Sequence, residues 1–420
     1  MHGNESPDRF RRKAVQPEKA RQSILAHVAT LPSEQASLHD AWDRYLAEPL
    51  IAPIPFPPYR RSGMDGYAVR VADLEAAEQD RPAELAVLET IPGGAEPNYP
   101  VGAGQAARIM TGGMVPEGAD AVVMLEMTET VMRAEQPVVR IGKRVPIGAN
   151  ISEIGSEIGQ GALLLPAGTR IGVGETALLA ACGCSRVSVA RRPRVAVLST
   201  GSELLEVDEP LLPGKIRNSN SPMLAALIRE AGGEPVPLGK VPDDPAQADA
   251  LVRQAFAACD LLLTTGGVSV GDYDVMVDVL GRQDVKLLFN KIAMRPGSPT
   301  TAALIGDRVV VALSGNPGAC FVGFHLFVAP AIAKLLGRDP EPQRFRAYLG
   351  ADFPKVNAYR RYVRARTERK EGTVWATPTG DDKSSLMTTI VGADCLIEVP
   401  PLKEGLVKGH PVTVWNIARS

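Results

Sequence analysis

The 420-residue chain lacks an excess of charge of either sign, with 46 Lys and Arg against 48 Asp and Glu, a net of -2. No global basic field is available for nucleic acid, which leaves local patches only. Aromatic residues are scarce at 5%, which disfavours long helical bundles and favours many turns and short elements. Long apolar runs are missing too. The longest uncharged stretch, residues 309–333, is broken by Ser314-Gly315-Asn316-Pro317-Gly318, which suits a strand, a loop and a helix rather than a membrane span. Cysteine is limited to five residues, an odd number without a Cys-x-x-Cys pair. A disulfide framework and a zinc site are both disfavoured. Cys182-Gly183-Cys184 has the spacing of a redox pair, but its apolar surroundings favour buried small hydrophobes. The histidines at 2, 27, 39, 325 and 410 show no ligand spacing, and His325 reads as a satisfied core imidazole. Chemistry must then rest on carboxylates, cationic side chains and a hard metal ion.

Gly 40 and Pro 35 supply the turns, and the length predicts about two to four domains. Residues 1–16 are polar, carry Arg9, Arg11, Arg12 and Lys13, and have no apolar core of a secretory signal. They read as a solvated, disordered tail. Helical spacing of Ile24, Leu25 and Val28 predicts a helix from Pro17, and Ser37 is placed to cap a second one through Glu48. Prolines at 49, 53, 55, 57 and 58 then force an extended connector. Short alternating runs at 107–110 and 121–125 predict a β-rich segment. From Arg191 to Arg338 strands alternate with helices, the pattern of a mostly parallel α/β sheet. Strands are expected at 194–199, 234–238, 261–265, 285–289 and 309–313, and helices at 221–231, 245–258, 274–280 and 317–336. Residues 340–420 read as a small β domain.

Ligands of open α/β sheets bind beyond the carboxyl ends of the strands. Those ends lead here into Thr200-Gly201-Ser202-Glu203, Asp243-Asp244, the loop 266–274 with Gly266, Gly267, Ser269 and Asp274, then Lys291 with Arg295, and Asn316-Pro317. Glycine-rich loops and helix starts suit a phosphate. Carboxylates beside that anion require a divalent cation between them, pointing to Mg²⁺ on Glu203, Asp243, Asp244 and Asp274. Lys291 and Arg295 suit a second oxyanion. Each feature also has a plain alternative, since Asn316-Pro317 is an ordinary N-cap and N1 pair and Asp243 or Asp244 can cap the helix at Pro245.

Four segments carry a resemblance: Arg60-Arg-Ser-Gly-Met-Asp-Gly-Tyr-Ala-Val, Arg108-Ile-Met-Thr-Gly-Gly-Met-Val-Pro-Glu-Gly-Ala-Asp-Ala-Val-Val, Leu198-Ser-Thr-Gly-Ser-Glu-Leu and Thr265-Gly-Gly-Val-Ser-Val-Gly. They occur in the order found in the molybdopterin molybdenumtransferase family, which includes the C-terminal enzyme domain of gephyrin, and the chain resembles it from about Pro17 onward. The resemblance implies a tail at 1–16, a discontinuous linking and dimerisation domain of 17–55 and 150–189, and a β-rich arm at 56–149. A molybdopterin-adenylyltransferase-like α/β domain at 190–339 and a β-barrel-like domain at 340–420 complete it. It further implies a cytoplasmic homodimer that inserts molybdate into adenylylated molybdopterin with Mg²⁺ and releases AMP. Molybdopterin adenylyltransferase and molybdoenzyme maturation factors are the implied partners, with neither nucleic acid nor membrane.

By motif, Asp65 and Thr111 fall on the arm side of the implied cleft, while Glu203, Asp243 or Asp244, and Asp274 are its central acids. Asn218, Ser219 and Asn220 match the turn beside the pterin nucleotide. Lys291 and Arg295 match basic positions, and Arg361, Arg364 and Ser384 or Ser385 match oxyanion-binding ones. The chain departs from the pattern where a lysine, an arginine, a proline and an aspartate are replaced by Ser298, Ser152, Ser314 and Glu157. The lost cations leave three readings: a molybdenumtransferase, a relative preferring tungstate, or a non-catalytic pterin-binding scaffold.

Overall fold

Val195-Ala196-Val197-Leu198 and Leu261-Leu262-Leu263 have no polar face, as strands covered on both sides require. In the computed structural model, which describes residues 13–241, 244–267, 275–280, 282, 284–356 and 358–418, alternate residues of these strands enter two different apolar clusters. Val195, Val197, Leu261 and Leu263 point into one, and Ala196, Leu198 and Leu262 into the other. The six-stranded sheet runs in the order Glu234–Lys240, Arg194–Ser199, Leu261–Thr265, Arg308–Leu313, Thr301–Ile305, Val285–Phe289. The first four are parallel. Thr301–Ile305 is antiparallel to both of its neighbours, so Val285–Phe289 again ends on the same rim as the parallel strands. This reversed strand was not expected; it forms a tight hairpin through Gly306 (φ 63°) and Asp307.

The chain divides into two compact units, one of Met1–Gln35, Asp43–Ala47 and Ser188–Ser420, the other of Ala36–Trp42 and Glu48–Val187. In the first unit, Arg344–Leu349, Arg360–Lys370, Thr373–Pro378, Cys395–Val399 and Pro411–Asn416 close into a five-stranded barrel, because Arg360–Lys370 pairs with both Thr373–Pro378 and Cys395–Val399. The helix Pro17–Leu25 also falls in this compact unit. Its Ala20 and Ile24 are buried in one cluster with Phe289, Ile292, Phe327 and Trp415.

The second unit holds a six-stranded sheet in the order Ala121–Met124, Gly66–Val69, Gln105–Ile109, Ala83–Ile91, Gln136–Ile141, Thr128–Arg133, and a helix Val173–Ala181. Tyr67, Val69, Ala106, Val123 and Val139 fill one side of it.

Two expectations are corrected. No helix forms from Ser37 to Glu48: Ser33–Ser37 is a strand, the Ser37 hydroxyl donates to Asp40 in a turn, and Asp43 takes φ 64°, which a helix cannot contain. His325 is half-buried and not satisfied, since its buried Nε2 has no hydrogen-bond partner among the described residues. It lies edge-on to Phe321 and Phe324 in a π-helical turn, Phe324–Val328, and burial pushes its pKa down to about 3. That turn sits within Pro317–Leu335, the one helix among the described residues with the length and composition to cross a membrane. Of its most apolar window 83% is buried inside the protein, as suits a core helix. All five cysteines are free. Burial raises the thiol pKa of Cys184, Cys259 and Cys395, and pushes Cys320 up to about 12.

Candidate functional site

Three loops meet where the central parallel strands end. Thr200 donates its N–H to the Thr265 carbonyl, and Gly266 donates to Leu313. Gly266 and Gly267 follow at φ 84° and 64°. A side chain at Gly266 would come within 2.6 Å of the Thr200 carbonyl oxygen, so only glycine allows this approach. Two successive positive-φ glycines make a tight turn at this rim, with the Gly266 N–H spent on Leu313.

Asn218 and Asn220 fasten the same rim from beneath. Asn218 donates to the Ser199 hydroxyl and accepts from Ser221 N–H. Asn220 Nδ2 donates to Thr265 Oγ1 at 2.7 Å and to the Gly315 carbonyl at 2.8 Å, while its buried Oδ1 has no partner among the described residues. Ser219 lies between them, immediately before the helix Asn220–Glu230.

Glu203 folds back over Gly201, whose φ of 133° leaves room for it. Its carboxylate is exposed and has no partner among the described residues. Lys215, which sequence reasoning missed, holds the loop by donating to the Ser202 carbonyl. Asp244 accepts from Gln247 N–H as the cap of Pro245–Phe256, so its carboxylate has a structural use. Asp243, Ser269 and Asp274 lie outside the described residues. Among those described, no group of three or more His, Cys, Asp or Glu gathers to hold a metal ion.

The cations sit where the sheet meets the barrel. Met294–Arg295 pairs in parallel with Arg360 and Arg361, and the register sets Arg295 opposite Arg361. Lys291 and Arg295 have no carboxylate partner among the described residues, whereas Arg361 pairs with Asp382. Asp382 is only 2% exposed and also binds Lys355. Ser298 turns its hydroxyl onto the Ile292 carbonyl, and Ile292 N–H returns a bond to Ser298. It therefore shapes the loop carrying the cations.

Asn316 and Pro317 occupy the N-cap and N1 positions, yet the Asn316 side chain makes no capping bond and remains free for a ligand. Ser314 Oγ accepts from Asn316 N–H instead. Next to them Gly318 donates to the Ser384 carbonyl, tying the barrel loop to the rim. Arg364, only 1% exposed, donates to Thr389 Oγ1, the Lys383 carbonyl and the Gly318 carbonyl. Burial lowers its pKa. It is a fastener for the oxyanion-side loop. The polar run Asp381-Asp382-Lys383 was the signal for this contact that motif reading passed over.

In the second unit, Gly66 pairs with Ile109, so Asp65 and Thr111 emerge together from one sheet end. Asp65 Oδ1 accepts from both the hydroxyl and the N–H of Thr111, at 2.7 and 2.6 Å. These bonds, with the nearby Arg108 charge, hold the exposed carboxyl below the usual range. A Gly66 side chain would strike the Val123 carbonyl, which explains the Asp65-Gly66 pair. Ser152 pairs with Arg61, and Arg61 binds Glu157 at 3.0 Å. The depressed pKa means the Asp65 contact persists above the ordinary carboxylate range and is lost only as pH falls through the lowered value. Thr111→Val should therefore raise the Asp65 midpoint part of the way back, measured by carboxyl ¹³C NMR. An unchanged midpoint would show that the hydroxyl does not hold this charge.

Known proteins are similar to this chain over nearly its whole length. Residues 15–183 match the MoeA N-terminal region (domain I and II), 196–334 a probable molybdopterin binding domain, and 346–417 the MoeA C-terminal region (domain IV). A molybdopterin molybdenumtransferase of Bacillus subtilis (strain 168) is 44% identical over 386 residues, covering 92% of this chain and 90% of that protein. One from Staphylococcus aureus (strain COL) is 37% identical over 405 residues, 96% of each. A crystal structure of a molybdopterin biosynthesis MoeA protein from Pyrococcus horikoshii OT3 superposes with a TM-score of 0.82 at 29% identity, covering 96% of this chain and 100% of that one. With the three family regions in order and such identity across the chain, it belongs to the molybdopterin molybdenumtransferase family.

Proposed function

We propose that this chain inserts molybdate into adenylylated molybdopterin with release of AMP, as a Mg²⁺-dependent cytoplasmic homodimer. The observation that carries the reading is the rim itself. This rim carries the positive-φ Gly266 and Gly267, the exposed Glu203, and Lys291 and Arg295, which have no carboxylate partner among the described residues. Anionic ligands with separate phosphate and oxyanion parts need this mixture of N–H donors, cations and a carboxylate.

Glu203 is the described residue able to hold Mg²⁺, with Asp274 as its companion from the sequence; bound there, the ion would neutralise the phosphoanhydride as AMP leaves. Gly267 would present its N–H to phosphate, on a turn that the Gly266 N–H fastens to Leu313. The free Oδ1 of Asn220 and the uncommitted side chain of Asn316 would accept from or donate to the pterin nucleotide. Lys291, Arg295 and Arg361 would hold molybdate. In the homodimer, Asp65 and Thr111 of the partner subunit would complete the site. The substrate would come from an adenylyltransferase, and the product would pass to maturation factors of molybdoenzymes.

The test is AMP release from adenylylated molybdopterin by the purified protein, with Mg²⁺ and either molybdate or tungstate. Release that requires both Mg²⁺ and molybdate is expected. Release with tungstate alone would establish the other oxyanion, and none with either would leave a pterin-binding scaffold.

A further inference from the structure

The two residues paired between Met294–Arg295 and Arg360–Lys370 are too few to hold a strand register unaided. Both sides of the pair are gripped by the N-terminal segment. Val15 N–H donates to the Lys291 carbonyl at 3.0 Å, and Ala293 N–H donates to the Val15 carbonyl at 2.8 Å, forming a parallel bridge to Ile292. One turn later Glu18 pairs with Arg360, whose guanidinium also binds Glu398 at 3.1 Å. Glu398 in turn accepts from the buried Trp415 indole N–H at 2.7 Å. Thus Val15 fixes the strand bearing Arg295 and Glu18 fixes the residue beside Arg361.

We propose that the Val15–Glu18 segment is a clasp and that Glu18 is a positioning residue, which sets the spacing of the Arg295 and Arg361 guanidiniums for an oxyanion. The proposal rests on the functional reading above. Electrostatics alone would set these two cations apart, because opposed like charges repel across neighbouring strands. Of these two guanidiniums, Asp382 pairs with that of Arg361, and it shares its charge with Lys355. The backbone therefore has to hold the pair together before the anion arrives. Glu18 and Arg360 are about one-third exposed, and ion pairs so placed add little to stability. Its use is geometric: loosening the clasp lets the guanidiniums separate, and misplacement of binding groups costs affinity steeply.

The experiment uses full-length protein and measures molybdate binding by calorimetry, KM and kcat for AMP release, and melting temperature. Glu18→Gln should raise the molybdate Kd and KM by about tenfold, with kcat within about twofold and melting nearly unchanged. Glu18→Asp should recover most of the affinity. Glu341→Gln is the control, since it removes the Arg21 tie of the same helix at 3.0 Å without touching the clasp. It should leave Kd unchanged. Should Glu18→Gln not fold, Arg360→Lys reads the same link. Equal Kd values for wild type and Glu18→Gln would overturn the clasp while leaving the functional reading intact. A wild type that binds no oxyanion would overturn both.

Discussion

Replacing Glu203 with Gln is expected to lower AMP release by about two to three orders of magnitude without lowering the melting temperature. The side chain is exposed, and its carboxylate meets no protein partner among the described residues. The isosteric amide therefore removes no protein ion pair and opens no cavity. What it removes is a negative charge just beyond the end of a parallel strand, on the rim that carries Gly266 and Gly267. A free carboxylate there opposes anion binding unless a cation intervenes, so its loss should also abolish the Mg²⁺ dependence of turnover. A folded Glu203→Gln protein with full activity and unchanged Mg²⁺ dependence would remove this residue from the chemistry.

The second large effect is on stability. Arg364→Met keeps the length of the apolar stem but leaves Thr389, the Lys383 carbonyl and the Gly318 carbonyl without their donor. Each orphaned buried acceptor costs roughly 1–3 kcal/mol, and broken buried networks total about 3–5 kcal/mol. The loss should appear in calorimetry as an earlier transition of the barrel. Gly318→Ala attacks the same junction from the other side, because its methyl group would lie 2.7 Å from Arg364 Nη1 and 2.9 Å from the Ser384 carbonyl oxygen. Both variants should weaken oxyanion binding together with stability. Arg364→Met with wild-type melting would show that the guanidinium does not fasten the loop.

The central strands were legible because two-sided burial makes them unbroken apolar runs, and their shared direction put Glu203 and Lys291 on one rim. Thr301–Ile305 was not legible, since its apolar run merges with the following strand across a two-residue turn. The helix expected from Ser37 failed for a local reason. Ser37 and Asp40 satisfy each other in a turn, and the positive φ at Asp43 ends any helical path. Asp244 looked alike as ligand and as cap, and only the Gln247 N–H distinguishes the two. The pairing of Arg295 with Arg361 spans about 66 residues of chain, and the buried role of Asp382 rests on partners 21 and 27 residues away, separations for which no spacing rule exists. Asp65 and Thr111 were reached by motif, but their shared hydrogen bonds follow from the Gly66 to Ile109 register.

The cysteines have a consequence for how this protein would meet a ligand that carries thiols. Thiol exchange requires a thiolate, and burial keeps the thiols of Cys184, Cys259, Cys320 and Cys395 protonated at neutral pH. All five cysteines are free, so the protein holds no disulfide for a thiol-bearing ligand to attack, and joining such a ligand to one of these four thiols would need both an external two-electron oxidant and a thiolate that burial withholds. Toward such a ligand these four thiols are chemically silent, and the packing around them is what keeps them so.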